Sequence, residues 1–239
     1  MRRPSGRVVR STVMRPHRSL QFTARRLNLA IGRLNIRSSR WISKKSEDVM
    51  NTIAYAQNQL SNINSILHSI ADDLTDEEWV SRPAHGQNMI GYTVWHIPRT
   101  QDTHVQTWIR GIPEVVHGDR WNHWRQLKQH GNGVGISLAE ADDVAHSVQR
   151  AEVMEYANAV HQEILTWLKE LNESDLDQLP DISQHLSAYP EYQTPSYVEE
   201  ASGLFDQPIW SQLMRPCIGH IHRHLGELEF VKNIIRTRK

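Results

Sequence analysis

From Met50 onward the apolar residues recur at three- and four-residue intervals, and no stretch alternates apolar and polar positions well enough to be a strand. The body of the chain is therefore expected to be all-α. Ile53, Leu60, Ile63, Leu67, Ile70 and Leu74 share one face of a first helix over about 51–73, with Asn51 as its cap. Thr75-Asp-Glu-Glu78 has the form of a capping box and opens a short helical turn that Pro83 closes. A second long helix is predicted over about 88–110, stopping at Gly111-Ile-Pro113. A third covers about 149–171, where Val153, Ala157, Val160, Ile164, Leu168 and Leu171 keep the helical period, and a fourth runs over about 208–236. Four long amphipathic helices make a four-helix bundle the economical fold.

Two connections, residues 111–148 and 172–207, are far longer than the few residues that usually join bundle neighbours. Long crossovers allow parallel neighbours, so the bundle need not run simply up and down. The first carries Trp121, His123, Trp124, the glycine run Gly131-Asn-Gly133-Val-Gly135 and a second capping box at Ser137-Leu-Ala-Glu140. The second carries Pro180, Pro190 and Pro195 with Tyr189, Tyr192 and Tyr197. These aromatics either line a substrate pocket or cover one end of the core, which is the commoner use of such residues.

Composition narrows the class. A chain of 239 residues can bury one full core without a second domain. The formal charge is zero, but residues 1–49 hold 13 of the 27 Lys and Arg and only Glu47 and Asp48 among acids. That leaves 14 basic against 25 acidic side chains in the body, a net charge near −11. An acidic body argues against a nucleic-acid groove, which needs clustered cations for phosphates. No apolar run approaches the roughly 20 residues of a membrane span. A single cysteine, Cys217, excludes an internal disulfide and fits a cytoplasmic location. The basic, Ser-rich residues 1–49 lack the apolar core of a secretory signal; they fit a transit peptide or, preferred here, sequence upstream of a true start at Met50. The expected division is thus a basic extension over 1–49 and one helical domain over 50–239.

Candidate chemistry centres on His220 and His224 in the run Cys217-Ile-Gly-His220-Ile-His-Arg-His224-Leu-Gly-Glu227-Leu228. At about 100° per residue both imidazoles fall in or against the arc of Leu213, Cys217, Ile221, Leu225 and Leu228, Glu227 joins its edge, and His222 faces away. Buried neutral imidazoles need partners, and a divalent cation would use both lone pairs. With 14 histidines in the chain such a pair arises readily by chance, so the spacing alone carries little and its coincidence with the apolar face carries more. A third ligand must come from elsewhere; His68, His85, His96, His104 and His161 are candidates that spacing does not separate. Pro98 should bend the second helix near His96. Cys217 reads as a small core residue, with a sulfur ligand as the lesser alternative. The glycine run lacks a Gly-Lys-Ser/Thr ending, no Gly-x-Ser-x-Gly occurs, and no Glu follows His220, which disfavours phosphate loops, serine hydrolases and His-Glu-x-x-His proteases.

Leu74-Thr-Asp-Glu-Glu-Trp79, Gly91-Tyr-Thr-Val-Trp95-His96-Ile and His220-Ile-His-Arg-His224-Leu-Gly-Glu-Leu228, in that order and spacing, resemble the DinB-like superfamily over essentially Met50 to Arg236. The resemblance implies a four-helix bundle with up-down-down-up connectivity, often assembled as a homodimer. It also implies a divalent metal ion held by one residue of the second helix and a His-x-x-x-His of the fourth, which carries over here to His96, His220 and His224. Zinc or nickel come first for three imidazoles, with iron and manganese as alternatives. Characterised relatives include thiol-dependent S-transferases and a maleylpyruvate isomerase, so the implied activity is a metal-dependent S-transferase or hydrolase acting on a small molecule, with a low-molecular-weight thiol as cosubstrate. An open metal position suits this chemistry because it generates thiolate or hydroxide at neutral pH. Glu227 would orient a histidine ligand from behind, or else serve only solubility. The competing reading is a non-enzymatic bundle whose histidines bond in the core or bind a structural metal while the loops recruit a partner.

Overall fold

The structure, a computed structural model, describes residues 51–124 and 126–238. The expected extension over 1–49 lies outside the described residues. The described residues are helical, with no strand among them. None of their helices is long and apolar enough to cross a membrane.

Helix α1, Thr52–Asp72, begins where the Asn51 side chain accepts the Ala54 N–H at 2.8 Å, and it buries Ile53, Leu60, Ile63, Leu67 and Ile70 along one face. The turn α2, Asp76–Trp79, forms the expected capping box: Thr75 and Glu78 satisfy each other's backbone N–H groups. Its Trp79 indole lies across Gly91, where a Cβ would come within 2.4 Å of Nε1. That contact explains why a glycine opens α3, Ile90–Asp102. The predicted second helix extends to Ile109, but beyond Asp102 it widens into a π-helix over Thr103–Ile109. Helix α4, Leu138–Ser147, has the second capping box at Ser137, and α5, Arg150–Leu168, is the predicted third helix. The 172–207 segment folds into short pieces, including α6, Ile182–Leu186, and α7, Pro195–Ala201. The fourth helix is broken where continuity was expected: α8, Ile209–Gln212, passes through a π-helix over Leu213–Gly219 that contains Pro216, then into α9, His220–Thr237. Proline removes a backbone donor, and widened turns absorb that loss.

Contacts fix the helix directions. Asn158 of α5 meets Asn64 and His68, and Glu173 beyond α5 accepts the Thr52 and Ile53 N–H groups, so α1 and α5 are antiparallel. Arg99 meets Tyr156 and Arg110 meets Glu163, so α3 and α5 are parallel. His222 meets Gln59 and Arg236 meets Asp73, so α1 and α9 are parallel. Gln101 donates to the Cys217 carbonyl, while His96, earlier in α3, meets His220, later in the fourth helix; these two helices are antiparallel. The order is up, down, down, up, and the 111–148 segment is the crossover that lets α3 and α5 run side by side.

α3 and the π-helix that continues it are buried on nearly every side, including Arg99, Thr100, Gln101, Asp102, Thr103 and His104. An amphipathic helix would turn these to solvent. Here the two long segments cover them: Trp121 and Trp124 pack on Tyr156, and Tyr192 and Tyr197 join Trp108, Ile182 and Leu186 in a second, smaller core. Most of the loop aromatics therefore cover the bundle.

Candidate metal centre

His96 projects from the middle of α3, and His220 and His224 from the first turns of α9. One ring nitrogen from each lies within 4.8 Å of the others. The Nε2 atoms of His220 and His224 are 2.9 Å apart and those of His220 and His96 are 3.5 Å apart. Three nitrogens each about 2.0–2.1 Å from one tetrahedral ion would stand about 3.3 Å apart. The cluster therefore has the size such an ion needs and is compatible with metal binding.

The outer ring nitrogens show how the imidazoles are held. His96 Nδ1–H donates to the Asn132 carbonyl at 2.5 Å, and the ring stacks on Tyr92 at 5.9 Å between centroids. His224 Nδ1–H donates to Glu227 Oε2 at 2.7 Å. With a proton fixed on Nδ1, each presents an Nε2 lone pair to the cluster. His220 differs: its Nδ1 accepts from Arg223 Nη2 at 3.2 Å. Burial, and next the positive charge that His224 would carry, push His96 down to about 3; burial, and next His220, push His224 down to about 4. His220 is lowered by burial first and then by Arg223. Imidazoles kept neutral at physiological pH are ready to ligate.

The sequence places this cluster deeper than the structure does. His96 is buried, but His220 and His224 are only partly so, because the triad lines an open cavity and His220 lines a second as well. The larger, about 680 Å³, is lined by His96, His220, His224, Glu227, Tyr92 and Glu200 among others. The second, about 570 Å³, has His220 and Glu200 in common with it and extends between Trp108, Tyr197, Leu204 and Met214. Of the other candidate histidines, His68 meets Asn158, His85 is exposed, and His104 donates Nδ1–H to the Thr100 carbonyl and packs against Trp108, its ring tilted 42° with centroids 4.1 Å apart. None of them, nor His161, belongs to the cluster. Cys217 is fully buried with its thiol pushed up by burial and lies outside the cluster, as its core reading requires.

A buried ionic network behind His96 escaped the sequence reading. Arg99 Nη1 is 2.6 Å from Glu114 and 3.4 Å from Asp102, all three shielded from solvent. Tyr156 donates to Asp102, Tyr192 donates to Glu114, and the Val115 and Val116 N–H groups donate to Asp102. Arg99 also grips the Gly131 carbonyl with Nε at 3.1 Å and Nη2 at 2.9 Å, one residue before the carbonyl that holds His96. Burial, and then the charge of Glu114, push Asp102 up to about 7. The network ties both long segments to α3 and sets the backbone that orients His96. In sequence its only sign is that polar residues occupy every face of α3 after Ile97, which also suits an exposed helix end.

Comparison with protein families finds the DinB superfamily over residues 59–228, most of the chain and all three clustered histidines. No curated protein matches.

Proposed function

Because the chain belongs to the DinB superfamily, we propose that it is a metal-dependent enzyme of the thiol S-transferase or hydrolase type acting on a small molecule, with His96, His220 and His224 holding a divalent ion. The observation that carries this reading is that the three clustered histidines all line one cavity, and His220 a second as well, rather than lying in a closed core. Structural metal sites are closed by protein ligands, whereas catalytic ones keep a position for substrate or water. An ion in such a position supplies a Lewis acid that lowers the pKa of a thiol or water. The chain's own residues then have separate tasks. Asn132 and Glu227 fix the His96 and His224 tautomers, Tyr92 holds the His96 ring plane, and the wall between Tyr92 and Glu200 admits a small molecule. Three imidazoles suit zinc or nickel first.

Metal analysis of the purified protein, followed by His220→Ala and His224→Ala, tests the reading. Loss of metal with thermal stability retained is expected for an open reactive site; loss of both together would indicate a structural ion and return the protein to the class of binding modules. Consumption of a low-molecular-weight thiol with a panel of electrophiles then separates transferase from hydrolase.

A further inference from the structure

The second cavity has buried walls and a charged mouth. Trp108, Tyr197 and Pro216 are buried against it and Leu204 and Met214 half-buried, whereas its charged side chains, Glu200, Arg215 and Arg223, are all exposed. On the buried side most polar atoms are already accounted for. The Trp108 Nε1, Asn132 Nδ2 and Tyr197 hydroxyl are sealed from the cavity and neighbour one another, and the Thr100 hydroxyl meets His96 Nε2 at 3.3 Å. His104 is the exception. It is 5% exposed and lines the cavity from the first turn of the π-helix over Thr103–Ile109, a kind of turn that recurs at functional sites. Its Nδ1–H donates to the Thr100 carbonyl at 2.8 Å and its ring packs against Trp108 with centroids 4.1 Å apart, which fixes both the tautomer and the ring plane. Nε2 therefore carries a lone pair, has no partner among the described residues and, unlike those three sealed atoms, stays open to the cavity.

Burial pushes His104 down to about 4, so this nitrogen remains an acceptor at physiological pH. An acceptor fixed in an apolar wall selects a ligand that brings the proton: a carboxylate has none to give, and a hydrocarbon leaves the lone pair unmet. The walls select the rest of the molecule. The Trp108 and Tyr197 rings and the Met214 thioether are groups that pack well on an aromatic ring, and about 570 Å³ is room for one small molecule. We propose that the second cavity binds an aromatic alcohol, its ring against Trp108 and Met214 and its O–H donated to His104 Nε2. The proton stays on the oxygen, because a phenolic hydroxyl is a far weaker acid than this imidazolium, and the contact is a neutral hydrogen bond. His220 lines the same cavity, so a ligand held there lies beside one histidine of the triad; only its being a reactant rests on the function proposed above.

The test uses the full chain, both metal-loaded and stripped with a chelator. Phenol and toluene, alike in size and different in the O–H, are titrated by calorimetry into wild type, His104→Phe and Leu204→Trp. Because the two ligands are hydrated differently, the readout is the ratio of their affinities, which is expected to shift about tenfold toward toluene in His104→Phe, the worth of one hydrogen bond. Leu204→Trp fills the cavity and is expected to weaken both ligands about tenfold. In wild type labelled with nitrogen-15 histidine, the His104 Nε2 signal is expected to move with phenol and to stay in place with toluene, a readout that needs neither variant to fold. An unchanged ratio in His104→Phe, an Nε2 signal indifferent to phenol, phenol affinity untouched by Leu204→Trp, or absence of phenol binding each overturns the proposal. Phenol binding that requires metal and vanishes in His220→Ala also overturns it, because the oxygen would then be a metal ligand. Phenol held by a chain that takes up no metal would sink the enzyme reading and leave this subsite standing.

Discussion

The Nδ1–H of His96 donates to the carbonyl oxygen of Asn132 at 2.5 Å, across 36 residues of sequence. The acceptor is backbone, so its aim depends on the chain path and not on a rotamer. Gly131 at φ +54° and Gly133 at φ +92° flank it, and Gly133 in turn offers its carbonyl to Tyr92 at 2.7 Å. A Cβ on Gly133 would sit 2.6 Å from the Tyr92 hydroxyl oxygen in a backbone conformation that penalises side chains. Gly133→Ala is therefore expected to lower stability by about 1–2 kcal/mol and to weaken metal binding as well. Urea unfolding and a competitive chelator titration on the same preparation check the pairing of the two effects; a stability loss without any change in affinity would mean that Asn132 does not govern His96.

Arg99 is the anchor of that path. Replacing it with methionine leaves Asp102 and Glu114 buried without their cation and releases Gly131. Breaking a buried ion network from one side costs about 3–5 kcal/mol. Arg99→Lys is expected to rescue little, because one ammonium cannot replace the Nε and Nη2 pair on Gly131 while also meeting Glu114. Equilibrium unfolding of both variants reads the difference, and full rescue by lysine would reduce Arg99 to a simple counter-charge.

Glu227 is half exposed and meets the histidine triad directly at His224. Glu227→Gln should leave stability within about 0.5 kcal/mol of wild type, as surface substitutions do. Metal affinity should fall about tenfold to a hundredfold, the usual effect of removing the carboxylate behind a histidine ligand. Unchanged affinity in a chelator competition would make Glu227 a solubilising residue.

The acid side of the stability profile follows from the histidines. His96 is held near 3, and His104 and His224 near 4, all chiefly by burial, whereas an unfolded histidine titrates near 6.5. As pH falls through 6.5 the unfolded chain binds protons that the native state refuses, so stability declines toward pH 4. Asp102 works against this: raised from 3.8 to about 7 in the native state, it keeps a proton there that the unfolded chain has released, and so loses stability as pH rises through that window. Three imidazoles outweigh one carboxyl. The urea midpoint of the metal-free protein is expected to drop between pH 6.5 and 4.5, and a flat or rising midpoint there would show that these rings are not kept neutral.

How much of this could be read in the sequence depends on the range of the interaction. The caps at Asn51, Thr75 and Ser137 are local and stand where their residue patterns predict them. The apolar faces of α1 and α5 followed their helical period for the same reason, and the turn of His220 and His224 toward α3 followed from the face they share. The two π-helices were not legible: Pro216 within Leu213–Gly219 marks a disturbance without fixing its form, and Thr103–Ile109 contains no proline to mark it at all. Nor was the Arg99–Glu114–Tyr192 network, whose members are polar residues that burial by distant segments turns from a solvent face into an interior one. His96 was separable from the other candidate histidines only by its motif, since its partner Asn132 lies in a glycine turn that no periodicity places.

Arg223 poses the last question that the site raises. A guanidinium can only donate, so its 3.2 Å contact to His220 Nδ1 makes that nitrogen an acceptor and puts the proton of neutral His220 on Nε2. There it donates to His224 Nε2 at 2.9 Å. Ligation through Nε2 requires the opposite tautomer, with a proton on Nδ1 facing the guanidinium, so Arg223 must turn away when an ion enters. It is well exposed and its ion pair with Glu227 is long, at 3.5 Å, so leaving costs little, yet the contact still favours the metal-free arrangement. Arg223→Ala is therefore expected to tighten metal binding, by up to about tenfold, the worth of one hydrogen bond with a charged donor. The same variant should show, in nitrogen-15 spectra of the metal-free protein, His220 shifting toward the tautomer protonated at Nδ1. Weaker metal binding in Arg223→Ala, or an unaltered tautomer, would mean that Arg223 supports the liganded state, and the contact with His220 would then have to persist with the ion in place.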